Sequence, residues 1–202
     1  MYYGDEIGMG DNIWLEDRDS VRTPMQWSPD RNAGFSSADP GRLYLPAVMD
    51  PIYGYQAVNV EAQQRHQGSL LHFTKRMLEI RRNHPVFGVG AYTEMWSSNP
   101  SVLTYVREDG DDVMLCVNNL SKFPQPVELD LRRFEGMTPV EARGGVRFPA
   151  IGELPYLLTL PGHGFYWFAL KPAEVTAEVI TGVTSGAAVA ATVTAAEVVS
   201  VK

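Results

Sequence analysis

The sequence predicts two architectures in succession, a mixed helix-and-loop portion over residues 1–87 and an antiparallel β-sandwich over residues 88–171. Three observations carry this. Ser69 to His84 is a helical pattern with a start and a stop: Ser69 is placed to cap it and Pro85 ends it. From Gly88 onward the chain breaks into short runs rich in β-branched and aromatic residues, at the spacing of a sandwich. Within that region Glu108-Asp109-Gly110-Asp111-Asp112 is a hairpin turn, since Asp-Gly supplies the positive φ angles such turns need.

Taken in order, Met1 to Gly8 reads as the tail of a strand running into a loop. Residues 9–68 are too long for an ordinary connection, which points to an active-site excursion or a short irregular subdomain, with a helical turn near Asn59 to Arg65. Pro24 and Pro29 exclude a continuous helix or central strand there. In the helix, Leu70, Leu71, Thr74, Met77, Leu78 and Arg81 recur at helical spacing. Basic Arg81, Arg82 and His84 suit the negative end of its dipole. The strands expected are Ala91–Trp96, Ser101–Arg107, Val113–Asn119, Pro126–Leu131, Thr138–Ala142, Tyr156–Leu160 and Phe165–Leu170. Residues 172–202 form a low-complexity tail, expected to be disordered: of the last 30 residues 21 are Ala, Val or Thr, and none is aromatic.

Composition narrows the function classes. A hydrophobic share of 45% and a charged share of 20% describe an ordinary globular protein. A net charge of −7 argues against nucleic-acid and anionic-membrane partners, which would call for a basic face. The single cysteine, Cys116, cannot form an internal disulfide, and the acidic opening lacks the basic region of a signal peptide, so a cytoplasmic protein is expected. No phosphate loop, serine-nucleophile elbow or zinc spacing occurs; His66, His72, His84 and His163 have no metal-ligand spacing. Cys116, within Val113-Met114-Leu115-Cys116-Val117, is expected to be a buried, inert thiol.

Tyr2-Tyr3-Gly4-Asp5-Glu6-Ile7-Gly8-Met9, Arg22-Thr23-Pro24-Met25-Gln26-Trp27 and Asn32-Ala33-Gly34-Phe35 together resemble the end of the catalytic barrel in the α-amylase superfamily, glycoside hydrolase family 13. Within it, Tyr44-Leu45-Pro46, Asp50-Pro51-Ile52-Tyr53-Gly54-Tyr55-Gln56 and Asn59-Val60-Glu61-Ala62-Gln63 resemble the trehalose synthase group. The resemblance covers residues 1–171. It implies the last strand, loop and helix of a (β/α)8 barrel, then the β-sandwich C-domain. A complete barrel takes about 250 residues, so the chain is expected to be a C-terminal fragment or to start at a misplaced codon. The implied activity is interconversion of maltose and trehalose by retaining intramolecular glucosyl transfer. The alternatives are part of an α-glucosidase or oligo-1,6-glucosidase, or a stand-alone carbohydrate-binding or docking sandwich. The implied partners are maltose and trehalose as substrates of the parent enzyme and the missing N-terminal barrel; a homo-oligomer or a maltokinase partner stays open. No cofactor is expected in this chain. Calcium occurs in the superfamily, with ligands that would lie upstream.

The resemblance also places the nucleophilic aspartate, the acid/base glutamate and the stabilising aspartate upstream of Met1, so no catalytic residue is expected here. Asp5 and Glu6 read as structural, because neighbours on a strand point to opposite faces whereas a retaining glycosidase needs two carboxyls about 5 Å apart. Arg22 is the candidate for substrate contact: a guanidinium fork can hold a carboxylate and sugar hydroxyls together, against the plain reading of a surface arginine paired with Asp17 or Asp19. Tyr53 and Tyr55 are candidates for the pocket rim. Trp27 is assigned to the core or to loop anchoring, as large aromatics more often bury area than face a ligand.

Overall fold

The computed structural model describes residues 1–172, so the tail from 173 on lies outside the described residues. The sandwich forms as the strand pattern requires. Its strands are β1 (Ala91–Glu94), β2 (Val102–Asp109), β3 (Asp112–Asn119), β4 (Gln125–Leu129), β5 (Met137–Glu141), β6 (Tyr156–Leu160) and β7 (Phe165–Pro172). They make a five-stranded sheet in the order β1-β2-β3-β7-β5 and a two-stranded sheet of β4 and β6, all antiparallel. Alternation along β2 turns Val102, Thr104 and Val106 inward. On β3 the same alternation sends Val113, Leu115 and Val117 into the space between the sheets, where they join Val127, Leu129, Leu158, Leu160 and Phe168 in one core. The β2–β3 hairpin closes over Gly110-Asp111, with Gly110 at φ 57 and Asp109 opposite Asp112. Pro139 is tolerated in β5 because its carbonyl, and with it the position of the missing N–H, faces away from β7, toward Phe148.

Helix α1 spans Val60–Gln64, α2 Leu70–Asn83 and α3 Val86–Val89. Ser69 caps α2 by accepting from the His72 N–H at 3.3 Å, and the helix ends before Pro85. α3 covers the outer face of the larger sheet, where Val86 packs with Met114, Cys116 and Ala169. β3 is therefore buried on both faces, and Cys116 is the buried thiol expected. Rings join α2 and α3 to the sheet as well: Phe73 meets Phe165 edge-on at 6.5 Å, and Phe87 meets Trp167 at 4.8 Å.

The N-terminal portion departs from expectation in two places. Met1 to Gly8 is no strand tail: Asp5–Ile7 is a 3₁₀ turn flanked by Gly4 and Gly8 at positive φ. A parallel barrel strand draws its hydrogen bonds from neighbours on both sides, and no described segment offers them, so the backbone satisfies itself locally. In α2 only Leu71 of the apolar stripe is fully buried, against Ile7 and Met25, while Leu70 and Leu78 stay exposed. No helix of the described residues is long and apolar enough to cross a membrane.

Candidate functional site

Residues 9–59 fold as linked turns rather than regular structure, with 3₁₀ segments at Asp17–Val21, Arg31–Gly34 and Pro40–Arg42. What holds them is side-chain amides. Gln26 is fully buried, and its Nε2 donates to the carbonyls of Tyr53 at 3.0 Å and Val58 at 2.5 Å. Asn59 caps α1 by accepting from Ala62 N–H at 2.8 Å, and its Nδ2 donates to Tyr55 O at 2.9 Å. Gln63 donates to Ile7 O at 2.7 Å and accepts from Leu71 N–H at 3.0 Å, tying the first turn to α2. Asn32 donates to the carbonyls of Ser36 and Ala38 at 2.9 and 2.8 Å. An irregular backbone leaves N–H and C=O groups without regular partners, and these amides supply them.

Asn32, Ala33 and Gly34 are consecutive left-handed residues, φ 56, 59 and 67. For Ala33 that conformation costs about 1–2 kcal/mol. It turns the Ala33 carbonyl to accept from the N–H groups of both Trp27, at 2.9 Å, and Ser28, at 3.1 Å. The effect is to hold Trp27 out of the core. Its indole is 51% exposed and lines a cavity of about 440 Å³ with Tyr3, Glu6, Arg22, Phe35 and Tyr44. Of the two readings of Trp27, core or loop anchoring, the first is thus corrected: buried Met25 and Gln26 precede it, and the turn at Ala33 fixes its backbone so that the ring faces outward.

Arg22 is exposed in this cavity, and neither Asp17 nor Asp19 comes within ion-pair distance of it. Its guanidinium makes no ion pair among the described residues. Beside it the Tyr3 hydroxyl donates to Thr23 O at 2.8 Å; burial pushes the Tyr3 pKa up, Tyr2 adds to the rise, and the Arg22 charge opposes it. Asp5 and Glu6 serve the turn itself, accepting from the N–H groups of Tyr2 at 2.7 Å and Gly4 at 2.9 Å. Tyr53 faces a different, larger cavity of about 950 Å³ with Trp14 and Met49, and Tyr55 a small one of about 290 Å³. The structure therefore puts Arg22, Tyr53 and Tyr55 at three separate recesses of the loop portion. Gly10 permits the approach of Tyr53, since a Cβ there would lie 2.6 Å from the Tyr53 ring carbon Cγ.

Sequence reasoning did not single out Gln26, Tyr3 or Tyr44 as site residues. Tyr44 is 92% exposed and its tripeptide with Leu45 and Pro46 carried part of the resemblance, which was the available signal. As a surface, the cavity offers aromatic faces, one carboxylate engaged with a backbone N–H and one open guanidinium: equipment for holding a polyhydroxylated ring.

Residues 1–90 match the family model described as the α-amylase catalytic domain, and residues 92–167 match the maltogenic amylase C-terminal domain. The chain belongs to the α-amylase superfamily, glycoside hydrolase family 13. Among family 13 relatives, the trehalose synthase of Pimelobacter sp. (strain R48) is 67% identical over 180 residues, 87% of this chain and 31% of the relative. The chain thus spans about three-tenths of that relative's length. The oligo-1,6-glucosidase of Bacillus cereus is more distant, 30% identical over 54% of this chain and 18% of its own. The crystal structure of a trehalulose synthase variant in complex with Tris superposes with a TM-score of 0.63 at 22% identity, covering 85% of this chain and 35% of that one; at that identity it speaks for the fold.

Proposed function

We propose that this chain is the C-terminal part of a trehalose synthase, which interconverts maltose and trehalose by retaining intramolecular glucosyl transfer. The observation that carries the reading is the 67% identity to the Pimelobacter trehalose synthase, sustained across both the loop portion and the sandwich. The α-glucosidase reading is disfavoured, because the oligo-1,6-glucosidase likeness is at 30% identity over about half the chain.

In the parent enzyme a carboxylate forms a glucosyl ester, the released glucose stays in place, and one of its hydroxyls then displaces the carboxylate. The residues described here hold and enclose rather than react. Arg22 binds hydroxyl groups through its open fork, and Tyr3, Trp27, Phe35 and Tyr44 offer ring faces and displace water. Glu6 is the only carboxylate on that cavity among the described residues, and two are needed for a double displacement. By itself the chain is expected to show no turnover.

The test is a chimera in which residues 1–172 replace the matching part of the Pimelobacter enzyme. Trehalose accumulating from maltose is the expected product, and Arg22→Ala should lower kcat/KM by about a hundredfold for a charge-assisted substrate contact of about 2–3 kcal/mol. A folded chimera that releases only glucose would replace the reading with a hydrolase.

A further inference from the structure

We propose that Gln26 is a positioning residue: by clamping its own segment to residues 53–61, which lie behind the cavity rather than on it, it holds the neighbouring Trp27 wall in place against water and so sets how much glucosyl group is transferred rather than hydrolysed. The inference rests on the trehalose synthase reading above and adds a residue to it.

The clamp is visible in the hydrogen bonds. Gln26 and Trp27 are adjacent, one fully buried and the other half exposed to the cavity. The Gln26 amide donates both of its N–H groups across the loop gap, to Tyr53 O and Val58 O. Its own backbone carbonyl accepts from Val60 N–H at 2.9 Å, and that of Trp27 accepts from Glu61 N–H at 3.0 Å. Residues 53–61, which carry Tyr53 and Tyr55 and open into α1, are thereby fastened to the segment that carries Arg22 and Trp27. Val58 also packs against the small core of Ile7, Met25 and Leu71, so the fastening reaches the base of the fold.

The chemistry of the side chain fits the task. A primary amide presents two N–H donors on one planar nitrogen and carries no charge, so it can bridge two carbonyls in a dry site without desolvating an ion. The Gln26 Oε1 finds no donor among the described residues, which leaves the hold of the side chain on Nε2. Replacing that NH₂ by an oxygen, at almost unchanged size, sets acceptor against acceptor at both carbonyls.

Wall position matters because two nucleophiles compete for the same intermediate. In either outcome the ester between glucosyl C1 and the enzyme carboxylate breaks and a new C1–O bond forms. The oxygen comes from a hydroxyl of the retained glucose or from water, and the hydroxyl proton passes to the carboxylate acting as base. Retention of glucose and exclusion of water both depend on closed walls, and a misplacement of about 1 Å can cost on the order of a hundredfold.

The test takes Gln26→Glu and Gln26→Met in the full-length chimera, and both substitutions in this chain for amide hydrogen exchange. In the chimera the ratio of glucose to trehalose formed from maltose should rise about tenfold in both variants, with KM increasing as well. If both products fall in parallel at unchanged ratio and KM, Gln26 contributes only to folding and the proposal is overturned. In this chain the amides of Gly54, Tyr55 and Val58, which donate to Asp50, Val48 and Gly54 carbonyls, should exchange faster than in the unsubstituted protein while those of β3 keep their protection. Unchanged exchange at all three also overturns it. If the unsubstituted chimera makes no trehalose, it is the trehalose synthase reading that fails, and exchange alone then decides whether the clamp exists.

Discussion

Cys116 lies on β3, sealed beneath α3, and burial pushes its thiol up to about 11 from an ordinary 9. Tyr105, its neighbour across the β2–β3 pairing, is pushed up to about 12, first by burial and then by Cys116. Both groups keep their protons in the folded protein at pH values where the unfolded chain has lost them. Stability from this source is complete below pH 9 and drains away as pH rises toward 11 and 12. Urea midpoints at about pH 8, 9.5 and 11 should fall in that order, and Cys116→Ala should remove much of the drop between 9 and 11. A midpoint independent of pH across this range would show that neither group is coupled to folding. The thiol was legible in the sequence because it sat inside an unbroken apolar run. Gln26 was not: a buried amide among prolines belongs to no period, and its importance lies in which carbonyls it reaches. The core half of the Trp27 reading failed for a related reason, since treating an indole as core filler presumes that the local backbone lets it turn inward. Arg22 was legible as an arginine facing a cavity only through the family likeness.

At the level of elements, caps and turns did most of the specifying. Ser69, Pro85 and the Asp-Gly hairpin each act through local backbone geometry, so α2 and the β2–β3 turn could be read directly. The α1 turn depends instead on Asn59, 1% exposed, whose side chain both caps the helix and anchors Tyr55 O. Asn59→Ala should destabilise the protein by about 2–3 kcal/mol, a cap plus a buried hydrogen bond. Asn59→Ser keeps a capping oxygen and loses the amide donor without setting a carboxylate against Tyr55 O, so it should cost about half as much. Equal losses for the two variants, measured by urea denaturation, would mean that the cap contributes nothing. The first strand was beyond the reach of this kind of reading, because strand formation is a property of the neighbours as much as of the segment, and Met1 to Gly8 has none among the described residues.

Across the whole molecule the two portions differ in how they treat apolar surface. The sandwich closes around one large core, with Phe168, Leu129 and Leu160 fully buried, though Trp96, Leu154 and Leu157 stay exposed on its outside. The N-terminal portion leaves Ile13, Trp14, Tyr44 and Met49 more than three-quarters exposed, and the outer side of α2 adds Leu70 and Leu78. Apolar exposure on this scale marks a surface meant to be covered. The chain in isolation should therefore bind an apolar dye such as anilinonaphthalene sulfonate strongly, and the chimera, with the rest of its barrel present, should bind far less. Equal dye binding by the two would mean that this surface stays open in the longer enzyme.

The larger sheet also constrains the order in which the chain can be assembled. β7 is the last described strand, yet it lies inside the sheet and joins β5 to β3. Once β5 has left the exit tunnel and β7 has not, β5 stands without the strand it pairs with in the larger sheet. β1, β2 and β3 can pair among themselves beforehand, but β3 and β5 each wait for a segment made later, so the hydrophobic faces of β2 and β3 stay incompletely covered until it arrives. Completion of the sandwich is a closing event, triggered when residues 165–172 clear the exit tunnel and slide between two strands already made.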